Sequence, residues 1–332
     1  MRSTKSPSWT SGALLRLLGF GPLQVPAQVF GIDARHLRFA RFARDGAALR
    51  VLEAHEVELA SDAFQSGPLG GPLRSPDAFG ELLRAVLERC STPVREASLV
   101  LPDAWLRVLF TESEALPSGE EAREEVLRWK LRRLVPYRVD ELRVAGLETA
   151  PLPGQPEGSW LALGFAVEAL LQQLETVFAS RGVHLGAISP RSLALLAGLQ
   201  PAEGLTALVV VDAESYALVF GRGAAAGGEP VLHRYKAWSA ALPLAARRAQ
   251  VARELRLTRT FLAERFGARD FASVLLLAPP DLAPAWRDWL EEGLAQPPRL
   301  LGGEALRLAD PLAPEPLLAL GPLAGAACQE VE

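Results

Sequence analysis

Between Val29 and Leu59 apolar residues alternate with polar ones in three runs. The first run ends at Asp33, the second resumes after a three-residue turn, and another turn falls at Asp45-Gly46. A period of two puts alternate side chains on one buried face, so this segment is expected to form a three-stranded meander. The period then changes. After the Gly/Pro-rich stretch SGPLGGPLRSP, the residues Phe79, Leu82, Leu83, Val86 and Leu87 recur at helical spacing, and ASLVLP follows as a buried strand. The predicted order is βββαβ.

The same order returns from Leu205. LTALVVVDAESYALVFGRG reads as a strand, an Asp-Ala turn and a strand; EPVLHRYKAW is a third strand, Leu242 to Phe266 a long helix, and ASVLLLAP a fourth strand. Asp33-Ala34 and Asp212-Ala213 then stand 179 residues apart at equivalent turns. Two such successions predict an internal duplication, with two lobes around a cleft. The expected division is a flexible leader over residues 1–28, a first lobe over 29–204 with an insert at about 103–185, and a second lobe over 205–332 whose last helix returns toward the first.

Within the insert, WLRVLFTESEALP alternates like a strand. Ser118 is expected to cap the following helix, with Glu121 completing a capping box. That helix carries acids in its first turns and bases in its last, Leu127, Leu131 and Leu134 give its buried face, and Pro136 stops it. ELRVAGLETAP and SWLALGFA read as strands on either side of the PLPGQPEGS loop, and VEALLQQLETVFASRG as a helix ending at Gly182.

Composition narrows the class. A chain of 332 residues that is 49% hydrophobic can bury a large core, and a net charge of -4 argues against a general nucleic-acid binder. Every basic residue except Lys5, Lys130 and Lys236 is arginine, which reads as a compositional bias. Cys90 and Cys328 form no ligand-spaced pair, so neither a disulfide framework nor a zinc site is indicated, and a reducing, cytoplasmic setting fits. No apolar run reaches the roughly 20 residues of a membrane span. In the leader, Ser11 to Leu18 reads either as flexible chain or as a short amphipathic contact helix.

Duplicated βββαβ lobes with an aspartate at the first hairpin of each resemble the actin-like (ribonuclease H-like) ATPase superfamily, an α/β fold. The succession of GIDARHLRFARF, LPDAWLRVLFTESEALP, a charged helix ending in RRLVPYRVDE, HLGAISPRSLALL, ELRLTRTFLAERFG and LLALGPLAGAA resembles the type IV pilus assembly protein PilM and its type II secretion relatives, from about Val29 onward. The resemblance implies a cytoplasmic protein beneath the inner membrane. It also implies a groove that receives the N-terminal tail of a PilN-like, membrane-anchored subunit, through which the protein would associate with the membrane.

The resemblance further implies a nucleotide cleft, in which Asp33 and Asp212 would serve magnesium and phosphate and Glu254 would lie on the helix that contacts the ribose. The residues argue against ATP. Phosphates are held by backbone N–H groups of glycine-rich turns, and Asp33-Ala34-Arg35-His36 and Asp212-Ala213-Glu214-Ser215 contain no glycine. Ala278-Pro279-Pro280 stands where a Gly-Gly turn is expected, and proline lacks the N–H. Asp33 and Asp212 are therefore read as turn starters, and Glu254 as a solvated helix acid.

Other chemistry is not supported. No lysine follows a glycine as a P-loop requires, GRGAAAGG misses the dinucleotide spacing, and His36, His55, His184 and His233 have no metal-ligand spacing. The arginines of LAARRAQVARELRLTRTFLAERF are read as a solvated face, the alternative being anionic head groups. Trp105, Trp129 and Trp160 are expected to fill the insert's small core; with Tyr137 they are also the candidates for partner binding. The expectation is a non-catalytic scaffold of a pilus or secretion platform. The alternative is an ATP-binding protein with atypical turns.

Overall fold

The structure, a computed structural model, describes residues 27–46, 48–113, 116–149, 159–200, 202–222, 229–239, 241–267 and 270–328. The Ser11–Leu18 segment, the stretch PLPGQPEG and all but the first two residues of GRGAAAGG lie outside the described residues.

The first meander is β1 (Gln28–Ile32), β2 (His36–Asp45) and β3 (Ala48–Glu58), followed by α1 (Pro76–Arg89) and β4 (Glu96–Leu101). Ser75 caps α1 by accepting from the Ala78 N–H at 3.2 Å, and Pro76 opens the helix where no N–H partner is needed. Next come β5 (Leu106–Ser113), α2 (Glu120–Leu134), β6 (Leu142–Thr149) and β7 (Ser159–Val167), which build a separate three-stranded sheet in the order β5-β7-β6. The chain then returns to the first lobe through α3 (Glu168–Ser180), β8 (His184–Pro190) and the short α4 (Arg191–Ala197). The second lobe is β9 (Leu205–Val211), β10 (Ser215–Arg222), β11 (Glu229–Ala237), α5 (Leu244–Phe266), β12 (Ser273–Leu277), α6 (Ala283–Leu294), β13 (Arg299–Leu300) and α7 (Pro314–Ala327).

The two large sheets have the same strand order, β3-β2-β1-β4-β8 and β11-β10-β9-β12-β13, antiparallel within each meander and parallel beyond it. The equivalence extends to single hydrogen bonds. The Asp33 N–H donates to the His36 carbonyl and the Leu59 N–H to that of Arg35; the Asp212 N–H donates to the Ser215 carbonyl and the Trp238 N–H to that of Glu214. Each bond recurs 179 residues later, the offset of the two Asp-Ala turns.

The insert interrupts the crossover that follows β4. In the second lobe the equivalent crossover runs directly from β12 through α6 to β13. Entry and exit of the insert lie side by side, because Leu106 of β5 pairs with Ala166 of β7. Helix α3 packs in the first lobe's core, where Leu170, Leu174 and Phe178 join Phe30, Phe39 and Leu83. The region expected as an insert over about 103–185 therefore divides into a separate layer, β5 to β7 with α2, and elements of the first lobe, α3 and β8.

Two details of α2 differ from expectation. Gly119 rather than Ser118 precedes its first turn, with no side-chain cap, so no capping box forms, and Glu120 and Glu121 are left to complement the helix dipole. Leu127 and Leu131 are buried, but Leu134 is 46% exposed at the helix end.

Between the two large sheets lies a core of α4 and α7. Leu193 to Leu196 and Leu317 to Ala327 meet Val29, Ala40 and Val100 on one side and Leu208, Val210 and Leu275 on the other. The helices touch at glycines. A Cβ on Gly325 would lie 2.0 Å from the Ala194 carbonyl oxygen, and one on Gly198 would lie 2.7 Å from the Gly325 Cα.

Candidate functional site

The two equivalent turns face one cleft of about 940 Å³. Asp33 to His36 line one wall and Asp212 to Ser215 the other; Arg191, Leu318 and Leu323 contribute from α4 and α7, and Trp105, Tyr235 and Trp238 add aromatic surface. The acids on its lining are Asp33, Glu56, Asp212 and Glu214, and the arginines are Arg35, Arg38 and Arg191.

Asp33 is consumed by its own hairpin. Its Oδ1 accepts from the N–H groups of Arg35 at 2.7 Å and His36 at 2.8 Å, and Arg38 donates to its Oδ2. Burial alone would raise this carboxyl; the bonds from Arg35 and Arg38 outweigh it and hold the group below the usual aspartate value. Arg38 also donates to Glu56 at 2.5 Å, on the neighbouring strand β3. Asp33 thus acts as a turn-forming residue, as expected from its place in the sequence.

Asp212 has a different partner. The Arg191 guanidinium, at the start of α4, donates to its Oδ1 at 2.5 Å and to the Leu318 carbonyl at 3.2 Å. Burial would weaken Arg191's hold on its proton, but the Asp212 carboxylate, with smaller contributions from Asp103 and Asp33, more than restores it. Because α4 belongs to the first lobe and Asp212 to the second, this ion pair crosses the cleft. Pro279 also lines the cleft, at the position where the resemblance implies a glycine turn.

Glu254 corrects its expectation. It is 8% exposed rather than solvated, does not line the cleft, and is held by Arg234 at 2.8 Å and Lys236 at 3.3 Å. Two cations on β11 compensate its burial.

The aromatic candidates separate. Trp105 is buried in the first lobe's core, 4.5 Å between ring centroids from Phe64. Trp160 sits in the second lobe's core, tilted against Phe261 and edge-on to Phe266, with its Nε1 donating to the Val231 carbonyl at 2.9 Å. Neither fills the insert's own core, which is built from Leu69, Leu131, Val139, Leu142 and Phe165 with a second group at Leu127, Leu161 and Leu163. Tyr137 is half-buried and its hydroxyl accepts from Arg107 at 2.9 Å. Trp129 is 52% exposed on α2, with the Arg133 guanidinium 4.7 Å from its ring centre.

Beside Arg191 lies a polar cluster that no motif or spacing along the chain announces. Ser192 donates its hydroxyl to Asp103 Oδ1; His233 Nε2 is 3.0 Å from the Ser192 Oγ and 3.2 Å from that carboxylate oxygen, and His233 Nδ1 is 3.0 Å from the Val108 carbonyl. Serine, histidine and aspartate invite comparison with a hydrolase triad. The roles do not fit, since the carboxylate bonds the serine, a carbonyl orients the histidine, and Ser192 has no exposed surface from which to attack a substrate. Among the described residues no His/Cys/Asp/Glu group could hold a metal ion, and no helix is long and apolar enough to cross a membrane.

No protein-family model and no curated protein matches the chain. Solved structures do. A chain of the PilM-PilN type IV pilus biogenesis complex is 18% identical, with a TM-score of 0.67 over 92% of this chain and 98% of that one. The cytoplasmic domain of EpsL, an inner-membrane component of the Vibrio cholerae type II secretion system, is 12% identical, with a TM-score of 0.48 over 91% and 95%. A Bacteroides thetaiotaomicron protein of actin-like ATPase fold and unknown function is 10% identical, with a TM-score of 0.49 over 84% and 91%. Two lobes of equal topology, equivalent Asp-Ala turns and a layer inserted after β4 give this chain the actin-like fold, in a form it shares over almost its whole length with the matched chain of the PilM-PilN complex.

Proposed function

We propose that the protein is a non-catalytic scaffold of a type IV pilus or type II secretion platform, held at the inner face of the inner membrane by the cytoplasmic tail of a PilN-like subunit. The observation that carries this reading is the state of the two turns. Each aspartate that would serve a nucleotide is already bound by an arginine of the chain, and neither turn offers glycine N–H groups to phosphate. The lining has one more acid than arginine, which disfavours a triphosphate. Similarity in fold to a chain of the PilM-PilN complex supports the choice of partner.

Trp129 is the aromatic candidate left on the surface, and it is assigned to the partner contact. An exposed tryptophan beside an arginine supplies the apolar area and the charge that anchor a short peptide. Retention of a synthetic PilN-like tail on the immobilised protein tests the reading. Trp129→Ala is expected to weaken retention at least about tenfold with the fold unchanged, as for an interface anchor. A tail that does not bind the wild type refutes the partner assignment.

The second reading, an actin-like ATPase with atypical turns, rests on the size of the cleft, which is that of a ligand pocket. Titration with a fluorescent ATP analogue and magnesium separates the two. Saturable binding that is lost on Asp212→Ala would favour the ATPase and overturn the scaffold reading.

A further inference from the structure

The two hairpins that wall the cleft are equivalent position by position, and the equivalence extends to their tips. Arg35 and Glu214 occupy the same place, each offering its carbonyl to an N–H of the following segment, that of Leu59 or of Trp238. Both side chains are exposed and both line the cleft, one from each wall. One place in the duplicated hairpin therefore carries opposite charges in the two lobes.

The other charges on the lining are engaged. Arg38 donates to both Asp33 and Glu56, and Glu56 also lies 3.9 Å from the His36 imidazole. Arg191 is bound to Asp212. Among the described residues, neither the Arg35 guanidinium nor the Glu214 carboxylate has a hydrogen bond or an ion pair. A free cation and a free anion are thus left on opposite walls. The rest of the lining supplies aromatic and apolar surface, from Trp105, Tyr235, Trp238, Pro279 and Leu318.

These features select the kind of molecule that fits. With four acids against three arginines the cleft repels a polyanion, whereas a molecule whose own charges cancel meets no such barrier. Ligand pockets orient their occupants with a few charged groups set around apolar walls. A space of about 940 Å³ is about 10 Å on a side, the span of about three extended residues at ~3.3 Å each.

We propose that the cleft binds a short zwitterionic peptide, about three residues long, with its carboxylate on Arg35, its ammonium on Glu214 and its middle side chain against the aromatic wall. The planar guanidinium of Arg35 matches a carboxylate with two parallel hydrogen bonds. Glu214, which disfavours a phosphate, is the group that an ammonium requires. The proposal is independent of the scaffold reading, because neither residue belongs to the contact assigned to Trp129.

Calorimetric titration of the protein with the tripeptide Ala-Leu-Ala, and with its N-acetylated and C-amidated forms, is the test. The free tripeptide is expected to bind saturably and each blocked form about tenfold more weakly, the worth of one hydrogen bond to a charged group. Glu214→Gln is expected to bind the free and N-acetylated peptides equally, and Arg35→Gln the free and amidated ones. Both variants change only exposed side chains, so folding is not at stake. Absence of saturable binding overturns the proposal. So does a blocking effect that is as large in the matching variant as in the wild type. Equal binding of free leucine overturns it as well, since both charges then sit on one carbon and cannot reach opposite walls.

Discussion

At the scale of single residues, position and role come apart. Asp33 and Asp212 begin equivalent turns and make the same backbone bond, yet one carboxylate is folded back on its own hairpin and the other reaches an arginine of the opposite lobe. The difference has a consequence in acid. The Asp33 carboxyl titrates below its unfolded value near 4, so its contribution is present above that value and is lost as pH falls through the lower folded one. Asp33→Asn is expected to lower stability at pH 6 and to flatten the loss between pH 5 and 2.5, measured as urea midpoints. If the variant keeps the wild-type acid slope, the carboxylate is not the group responsible.

Among elements, the contact of α4 with α7 is the tightest constraint. Gly325 has the Ala194 carbonyl where a side chain would stand, so Gly325→Ala must push the helices apart. Overpacking of this kind costs about 1–3 kcal/mol, which a denaturation curve resolves. Unchanged stability would mean that the crossing relaxes freely. These two helices also show where sequence reading reaches its limit. The meanders are legible because alternation and turn residues are local signals. Helix α4 has seven residues, all but the first buried, so it presents no polar stripe and no period to detect. For α2 the period was legible but its end was not, because the leucine that continues the pattern at 134 has run past the sheet that covers Leu127 and Leu131. The burial of Glu254 is hidden for a related reason: its own helix gives no hint that β11 brings Arg234 and Lys236 against it.

At the level of the whole molecule, the duplication could be read from order alone, and the strand order of both sheets bears it out. What joins the halves could not. Asp103 and His233 are 130 positions apart, Arg191 and Asp212 belong to different lobes, and no spacing rule links such residues. The same holds for Trp160, which a local reading assigns to the insert and the fold delivers to Val231, 71 positions away. Trp160→Phe removes that bond and is expected to cost about 1 kcal/mol by chemical denaturation, the usual net worth of a buried hydrogen bond. An equal midpoint would show that the ring alone holds the layer in place.

The neighbouring entry and exit of the inserted layer bear on how such a molecule can be remodelled. A segment that leaves and rejoins a scaffold at paired positions is a graft, exchangeable in principle by a short splice near residues 105 and 167. This graft is also a stopper, because its tryptophan closes a hole in a lobe to which it is not covalently adjacent. Any transplant of equal span would therefore have to bring an aromatic plug of its own, or leave Phe261 and Phe266 facing water.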